Sequence, residues 1–207
     1  MIIVIDYDAG NTANVLRALA AIGAEARLSA DPKEILAADG LILPGVGAFR
    51  AAMQELQKRD LIGPIQEAVS GGKPFLGICL GMQLLLEVGL ENGQTSGLGF
   101  IPGVCRRIPA RAGLPVPHMG WNDLQIQQAS ALTNRLQGEA VYFVHSYYTD
   151  VEQEYLDATA DYGFPVPAMI HKGSVFGCQF HPEKSGQVGL EILRNFKEYV
   201  YEDSTSD

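Results

Sequence analysis

The sequence predicts an α/β fold of three layers: a mostly parallel open sheet flanked by helices, with additional antiparallel strands in the second half. Three observations predict it. Short apolar runs alternate with stretches of helical spacing through residues 2–87, the order that places parallel strands in one sheet under crossover helices. Residues 104–179 instead carry several short strand-like runs without helices between them. The composition, 47% hydrophobic and 19% charged over 207 residues, suits a chain able to bury a large core.

Residues 2–6 form a continuous apolar run and read as a buried strand. Residues 13–22 follow as a helix, with Leu16, Leu19, Ala20 and Ile22 near one face. A second strand is expected at 24–28. Asp31-Pro32 reads as a helix start, with Asp31 as cap and Pro32 at the first helical position. A third strand at 40–43 ends at Pro44-Gly45, and helices are expected at 47–58 and 61–70. Residues 74–78 read as a fourth strand and 80–87 as the helix after it. Later strands are expected at 104–108, 140–144, 156–160, 168–171 and 174–179, the last two joined by a tight turn at Gly173. Residues 186–199 read as a closing helix and 202–207 as an acidic tail. With no repeat, low-complexity run or linker, residues 1–207 are expected to form a single domain.

The formal net charge of -9 and the absence of a long basic run argue against a nucleic-acid partner. Arg106, Arg107 and Arg111, the densest basic group, read as a solvated or subunit-contact face. The three cysteines, Cys79, Cys105 and Cys178, form no C-x-x-C pair, so neither a disulfide framework nor a zinc site is expected. No apolar run reaches membrane-spanning length, and no charged segment precedes residues 2–5, so a cytoplasmic location without a leader or membrane contact is expected.

The sharpest local signal is Gly77-Ile78-Cys79-Leu80-Gly81, between an expected strand and an expected helix. This is a G-x-C-x-G form of the nucleophile elbow. A tight turn there needs glycine on both sides and lifts the sulfur toward a helix N-terminus that favours the thiolate. Cys105 and Cys178 lack that context and read as structural. Pro44-Gly45-Val46-Gly47 also follows a strand. Its N–H groups, at Val46 or Gly47, are candidates to join that of Leu80 as an oxyanion hole, and an ordinary strand-ending turn is the alternative. In Phe180-His181-Pro182-Glu183, proline keeps His181 extended, and residues two apart then point the same way. A carboxylate beside an imidazole raises its basicity and fixes its tautomer. The expected catalytic series is therefore Cys79, His181 and Glu183, and no step calls for a metal or cofactor.

Residues 77–83 (Gly-Ile-Cys-Leu-Gly-Met-Gln) together with 180–183 (Phe-His-Pro-Glu) resemble the class I, or triad, glutamine amidotransferases over essentially the whole chain. The resemblance implies L-glutamine as substrate, a γ-glutamyl thioester on Cys79, and ammonia passed to a partner. Residues 6–11, 44–49, 118–122, 142–147 and 180–185 further resemble one branch of that family, whose members form a heterodimer with a cyclase subunit of (β/α)8-barrel fold. For the glutamine pocket the resemblance carries over Gly45, Gly47, Gln83, Glu91, His145, Ser146 and Tyr147. For the cyclase-facing side it carries over Asn11, Asn14, Trp121, Tyr142 and Lys184. Alternatives stand beside three of these assignments: a solvated charge for Glu91, strand-end packing for residues 145–147, and a core position for Trp121.

Overall fold

The computed structural model describes residues 1–202; the tail expected beyond Glu202 lies outside the described residues. The chain runs β1 (Ile2–Ile5), α1 (Thr12–Ala21), β2 (Ala26–Ser29), α2 (Pro32–Ala37), β3 (Gly40–Leu43), α3 (Phe49–Lys58), α4 (Ile62–Ser70), β4 (Phe75–Ile78) and α5 (Leu80–Leu84). It continues as β5 (Leu86–Gly89), β6 (Thr95–Ser96), β7 (Ile101–Arg107), β8 (His118–Asp123), β9 (Gln125–Ile126), β10 (Ala140–His145) and β11 (Tyr147–Asp150). The last elements are β12 (Leu156–Asp161), β13 (Pro165–Lys172), β14 (Val175–Cys178) and α6 (Gly186–Glu202).

The main sheet has eight strands in the order β2-β1-β3-β4-β14-β13-β12-β9. Neighbours from β2 to β14 pair in parallel, and β14, β13, β12 and β9 pair antiparallel. The central strands β1, β3, β4 and β14 are buried at every residue, as strands covered on both faces must be. One core lies under α1 and α6, with Leu19, Phe143, Phe180 and Phe196 in it. The other lies under α3 and α4, with Phe49, Leu56, Ile65 and Phe75. Asp31 accepts the Lys33 N–H at 2.8 Å, so the expected cap forms, and Gly173 turns the β13–β14 hairpin at φ 58°.

Three expectations are corrected. The helix expected at 80–87 stops at Leu84, and Leu86 begins β5. The Leu84 carbonyl accepts from the Leu98 N–H and that of Leu85 from Phe100 and Ile101, so the acceptors that would extend the helix are taken by a neighbouring segment. Strand β8 was unforeseen because its pattern is inverted: His118 points inward, while Met119 and Trp121 stand 60% and 57% exposed. That exposure also removes the core reading of Trp121. Finally, His181 is extended, but Pro182–Lys184 forms a 3-10 turn instead of continuing the strand. Strands β6, β9 and β11 also went unforeseen; β6 and β9 have two residues each, too few for a periodicity.

That turn rests on α6. A Cβ on Gly189 would lie 1.8 Å from the Pro182 carbonyl oxygen, so only glycine lets the helix seat there. Gly189→Ala is expected to cost about 3 kcal/mol by forcing backbone apart, read as a lowered denaturation midpoint, with the His181 turn displaced. On β13, the His171 imidazole lies 2.5 Å from the nearly inaccessible Asp157 carboxylate. That hydrogen bond outweighs burial and raises the imidazole above its ordinary 6.5. The folded state therefore binds this proton more tightly than the unfolded chain. The stabilisation is complete below pH 6.5 and is lost as pH rises through the raised folded value. His171→Phe is expected to flatten the stability-versus-pH curve in that window, measured by chemical denaturation at stepped pH.

Candidate active site

Strands β4 and β14 end side by side at one rim of the sheet. Ile78 pairs with Cys178, and the Cys79 N–H donates to the Cys178 carbonyl at 2.8 Å. Cys79 then leaves the strand at φ 55°, ψ -110°, a conformation rare for a residue with a side chain. The flanking glycines are required by contact. A Cβ on Gly77 would lie 2.6 Å from the Gly81 carbonyl oxygen, and one on Gly81 would lie 1.8 Å from that of Leu43.

From the end of β14 the chain reaches His181, whose N–H is held by the Tyr142 carbonyl at 3.1 Å. The Ser185 hydroxyl donates to the His181 carbonyl at 2.7 Å and accepts the Tyr142 N–H at 3.0 Å, which braces the turn on both sides. Within it, His181 Nδ1 lies 2.8 Å from Glu183 Oε1, with both side chains almost wholly buried. Burial pulls the imidazole down. Hydrogen bonding to Cys79 and to Glu183, together with their charge, pushes it up to about 9. Nε2 is buried and has no hydrogen bond of ordinary geometry, and the Cys79 thiol is the group acting on that side.

A cavity of about 400 Å³ opens over Cys79 and His181. Its walls include Val46, Gly47, Cys79, Leu80, Gln83, Glu91, His145, Ser146, Tyr147, His181 and Lys184, which the sequence had assigned to catalysis, substrate or partner. Pro117 and Val144 complete the wall and were not foreseen. Gly45 lies beneath it, where a Cβ would meet the Tyr7 hydroxyl at 2.6 Å and Leu80 Cβ at 2.9 Å. The Tyr7 hydroxyl donates to the Pro44 carbonyl at 2.7 Å, and burial, then the charge at Cys79, keeps that phenol protonated. A larger groove of about 840 Å³, lined by Arg50, Gln54, Gln57 and Gln94 among others, holds no paired nucleophile and base. Among the described residues no group of three or more His, Cys, Asp or Glu side chains is placed to hold a metal ion.

Two assigned residues have duties the sequence did not show. One Glu91 oxygen accepts the Phe49 N–H at 2.8 Å, capping α3, so Glu91 is not a free solvated charge. Gln83 Nε2 donates to the Tyr147 carbonyl at 3.0 Å and to Gln179 Oε1 at 3.1 Å. The Tyr147 carbonyl also pairs with His145 Nδ1 at 2.7 Å, and His145 Nε2 meets His118 Nδ1 at 3.0 Å. Burial, opposed by the Tyr147 carbonyl, pulls His145 down to about 3, so it is neutral. Its proton then sits on Nδ1, facing the carbonyl. Gln179 and His118, both inaccessible to solvent, were missed as site residues because no local spacing ties them to Cys79.

Of the expected oxyanion donors, Leu80 is engaged within the loop. The Leu80 N–H donates to the Gly45 carbonyl at 3.4 Å. In the trans Gly45–Val46 peptide the N–H points opposite to the C=O, so the Val46 N–H faces away from Leu80. Gly47 is held at φ 100°, and a Cβ built on it would meet nothing within 4 Å. Tyr142 is registered against Trp121, their rings 5.9 Å apart; α1, which Asn11 precedes and which contains Asn14, packs against the Pro182–Lys184 turn, where Lys184 is exposed.

Residues 3–199 match the family described as "Glutamine amidotransferase class-I". The chain belongs to the class-I glutamine amidotransferase family. Within it, the chain is 79% identical over 204 residues to the imidazole glycerol phosphate synthase subunit HisH of Streptococcus sanguinis (strain SK36), covering 99% of each chain. It is 55% identical over 201 residues to the subunit of the same name from Listeria monocytogenes serovar 1/2a, covering 97% of each. Among solved structures it is similar to PurLQS from Thermotoga maritima, with TM-score 0.75 and 18% identity over 96% of this chain and 98% of that one. A glutamine amidotransferase of the same organism gives TM-score 0.62 and 17% identity over 100% of this chain and 85% of that one. At such identities these two speak to the fold alone.

Glu183→Gln keeps the shape beside Nδ1 and removes the charge. The His181 imidazole is expected to titrate below its present value of about 9, measured by NMR of the ring protons against pH.

Proposed function

We propose that this chain acts as one domain, the glutaminase subunit of an imidazole glycerol phosphate synthase in the cytoplasm. It hydrolyses L-glutamine to glutamate and ammonia and passes the ammonia to a (β/α)8-barrel cyclase bound as a heterodimer. The cyclase uses that ammonia to convert a phosphoribulosyl-formimino carboxamide ribonucleotide (PRFAR) into imidazole glycerol phosphate and an aminoimidazole carboxamide ribonucleotide (AICAR) in histidine biosynthesis. The observation that carries this reading is Cys79 and His181 at the wall of one cavity, with Glu183 held behind the imidazole at 2.8 Å, in a chain 79% identical to a subunit of that synthase.

His181 takes the Cys79 thiol proton at Nε2, and Glu183 at Nδ1 stabilises the imidazolium. The thiolate adds to the glutamine side-chain carbonyl. The resulting oxyanion needs donors, and the Leu80 N–H meets it once released by the Gly45 carbonyl. Rotation of the Gly45–Val46 peptide does both things: it withdraws that carbonyl and turns the Val46 N–H toward the same point. His181 returns its proton to the departing nitrogen, the C–N bond breaks, and ammonia leaves a γ-glutamyl thioester. Water, deprotonated by His181, then cleaves the thioester to glutamate and restores the thiol. Gly45, Gly47, Gln83, Glu91, His145, Ser146 and Tyr147 bound the substrate. Asn11, Asn14, Trp121, Tyr142 and Lys184 face the cyclase, where the exposed Met119 and Trp121 supply the apolar contact.

Coupling follows from the loop. With the Leu80 N–H engaged, the isolated chain is expected to release ammonia slowly, and cyclase loaded with its nucleotide is expected to raise turnover. One oxyanion donor is worth on the order of a hundredfold. Ammonia release should be followed for wild type and Cys79→Ala, each alone and with loaded cyclase. Cys79→Ala is expected to fall by at least about a thousandfold. Equal wild-type turnover with and without loaded cyclase would refute the coupling.

A further inference from the structure

Gln179 follows β14 by one residue and is inaccessible to solvent. Its Nε2 lies 3.8 Å from the Cys79 sulfur, within reach of an N–H···S hydrogen bond. Neighbouring acceptors fix which end of this amide faces the sulfur. The Tyr147 carbonyl can only accept, so the Gln83 atom 3.0 Å from it is the amide nitrogen. That same nitrogen has a second hydrogen, and at 3.1 Å it meets Gln179, which must answer with its oxygen. The Gln179 nitrogen is thereby left facing Cys79. A backbone carbonyl thus orients two buried amides in series, and the series ends on the sulfur.

We propose that Gln179 is a catalytic residue that donates an amide hydrogen bond to the Cys79 sulfur and stabilises its thiolate. The inference rests on Cys79 being the nucleophile. A donor near sulfur is worth little to a thiol and more to a thiolate, because the bond becomes charge-assisted. It therefore acts twice: before attack, when His181 removes the thiol proton, and again when the thioester opens and sulfur leaves with the electron pair of the broken C–S bond. No proton leaves Gln179 at either step. The need for it is visible in the fold, since α5 has five residues and offers a short macrodipole at Cys79. Besides His181, which holds the proton taken from sulfur, the thiol meets the Val144 carbonyl at 4.0 Å, an acceptor that cannot stabilise an anion.

Two substitutions separate donation from packing. Gln179→Met fills similar space without a donor. Gln179→Glu keeps the shape and presents oxygen to the sulfur. Cys105 and Cys178 are buried away from the cavity, so Cys79 alkylation by iodoacetamide can be followed across pH by intact mass. Gln179→Met is expected to slow alkylation about tenfold at neutral pH, moving the pH–rate profile upward by about one unit. Gln179→Glu is expected to move it further. Glutamine turnover with loaded cyclase should fall in the same order. An unchanged alkylation profile in both variants, with turnover reduced or not, overturns the proposal. Should both variants unfold, the wild-type chain still decides: the Gln179 side-chain amide resonances must shift as Cys79 titrates, and static resonances overturn the proposal equally. Retained turnover in Cys79→Ala would instead sink the nucleophile itself, an outcome distinct from either result at Gln179.

Discussion

The parallel pairing of β4 with β14 is the constraint on which the site depends. Cys79 and Gln179 stand 100 residues apart in sequence, yet both strands finish at the same rim because Ile78 registers against Cys178. A shift of this register by one residue would turn every side chain of β14 to the opposite face. It would also carry His181 away from the sulfur. The register is secured by burial. Both strands are covered on both faces, so any slip exposes or buries the wrong residues along their whole length.

On that frame the polar groups of the site are arranged so that each one limits the next. Glu183 is out of water and faces Nδ1, which leaves Nε2 for the sulfur. The Tyr147 carbonyl accepts from both His145 and Gln83 and so sets a tautomer on one side and an amide orientation on the other. In a poorly solvated cavity such bonds are stronger than in water, and an unpaired group is more costly. The side chains around the cavity are held by these donor and acceptor counts as much as by packing.

Much of the architecture was legible because it is written locally. Buried strands read as apolar runs, Asp31-Pro32 announced a helix start, and glycine on both sides of Cys79 after a strand announced the turn. The pairing of His181 with Glu183 was legible for the same reason, since they are two residues apart and meet whether that segment is extended or turned. What escaped reading depends on distant partners. The helix after Cys79 ends early because Leu98, Phe100 and Ile101 claim the Leu84 and Leu85 carbonyls. Strand β8 hid behind an outward Met119 and Trp121, and Gln179 gains its role through Gln83 and Tyr147, which lie far from it in the chain. The orientation of the Gly45–Val46 peptide was equally invisible, because a plane can turn without any change of residue type.

The glycine contacts beneath that peptide determine what kind of movement it can make. Gly81 sits against the Leu43 carbonyl, and Gly45 is boxed between Tyr7 and Leu80. Sliding the segment would press Gly45 into Tyr7, Leu80 and the Gly81 backbone, so translation is opposed. Torsion is not, because Gly47 has open space on its Cβ side and already holds a positive φ. The segment is thus a swivel on a fixed mount: an outside push on the exposed Val46 side chain arrives at Cys79 as rotation, with the sulfur left in place.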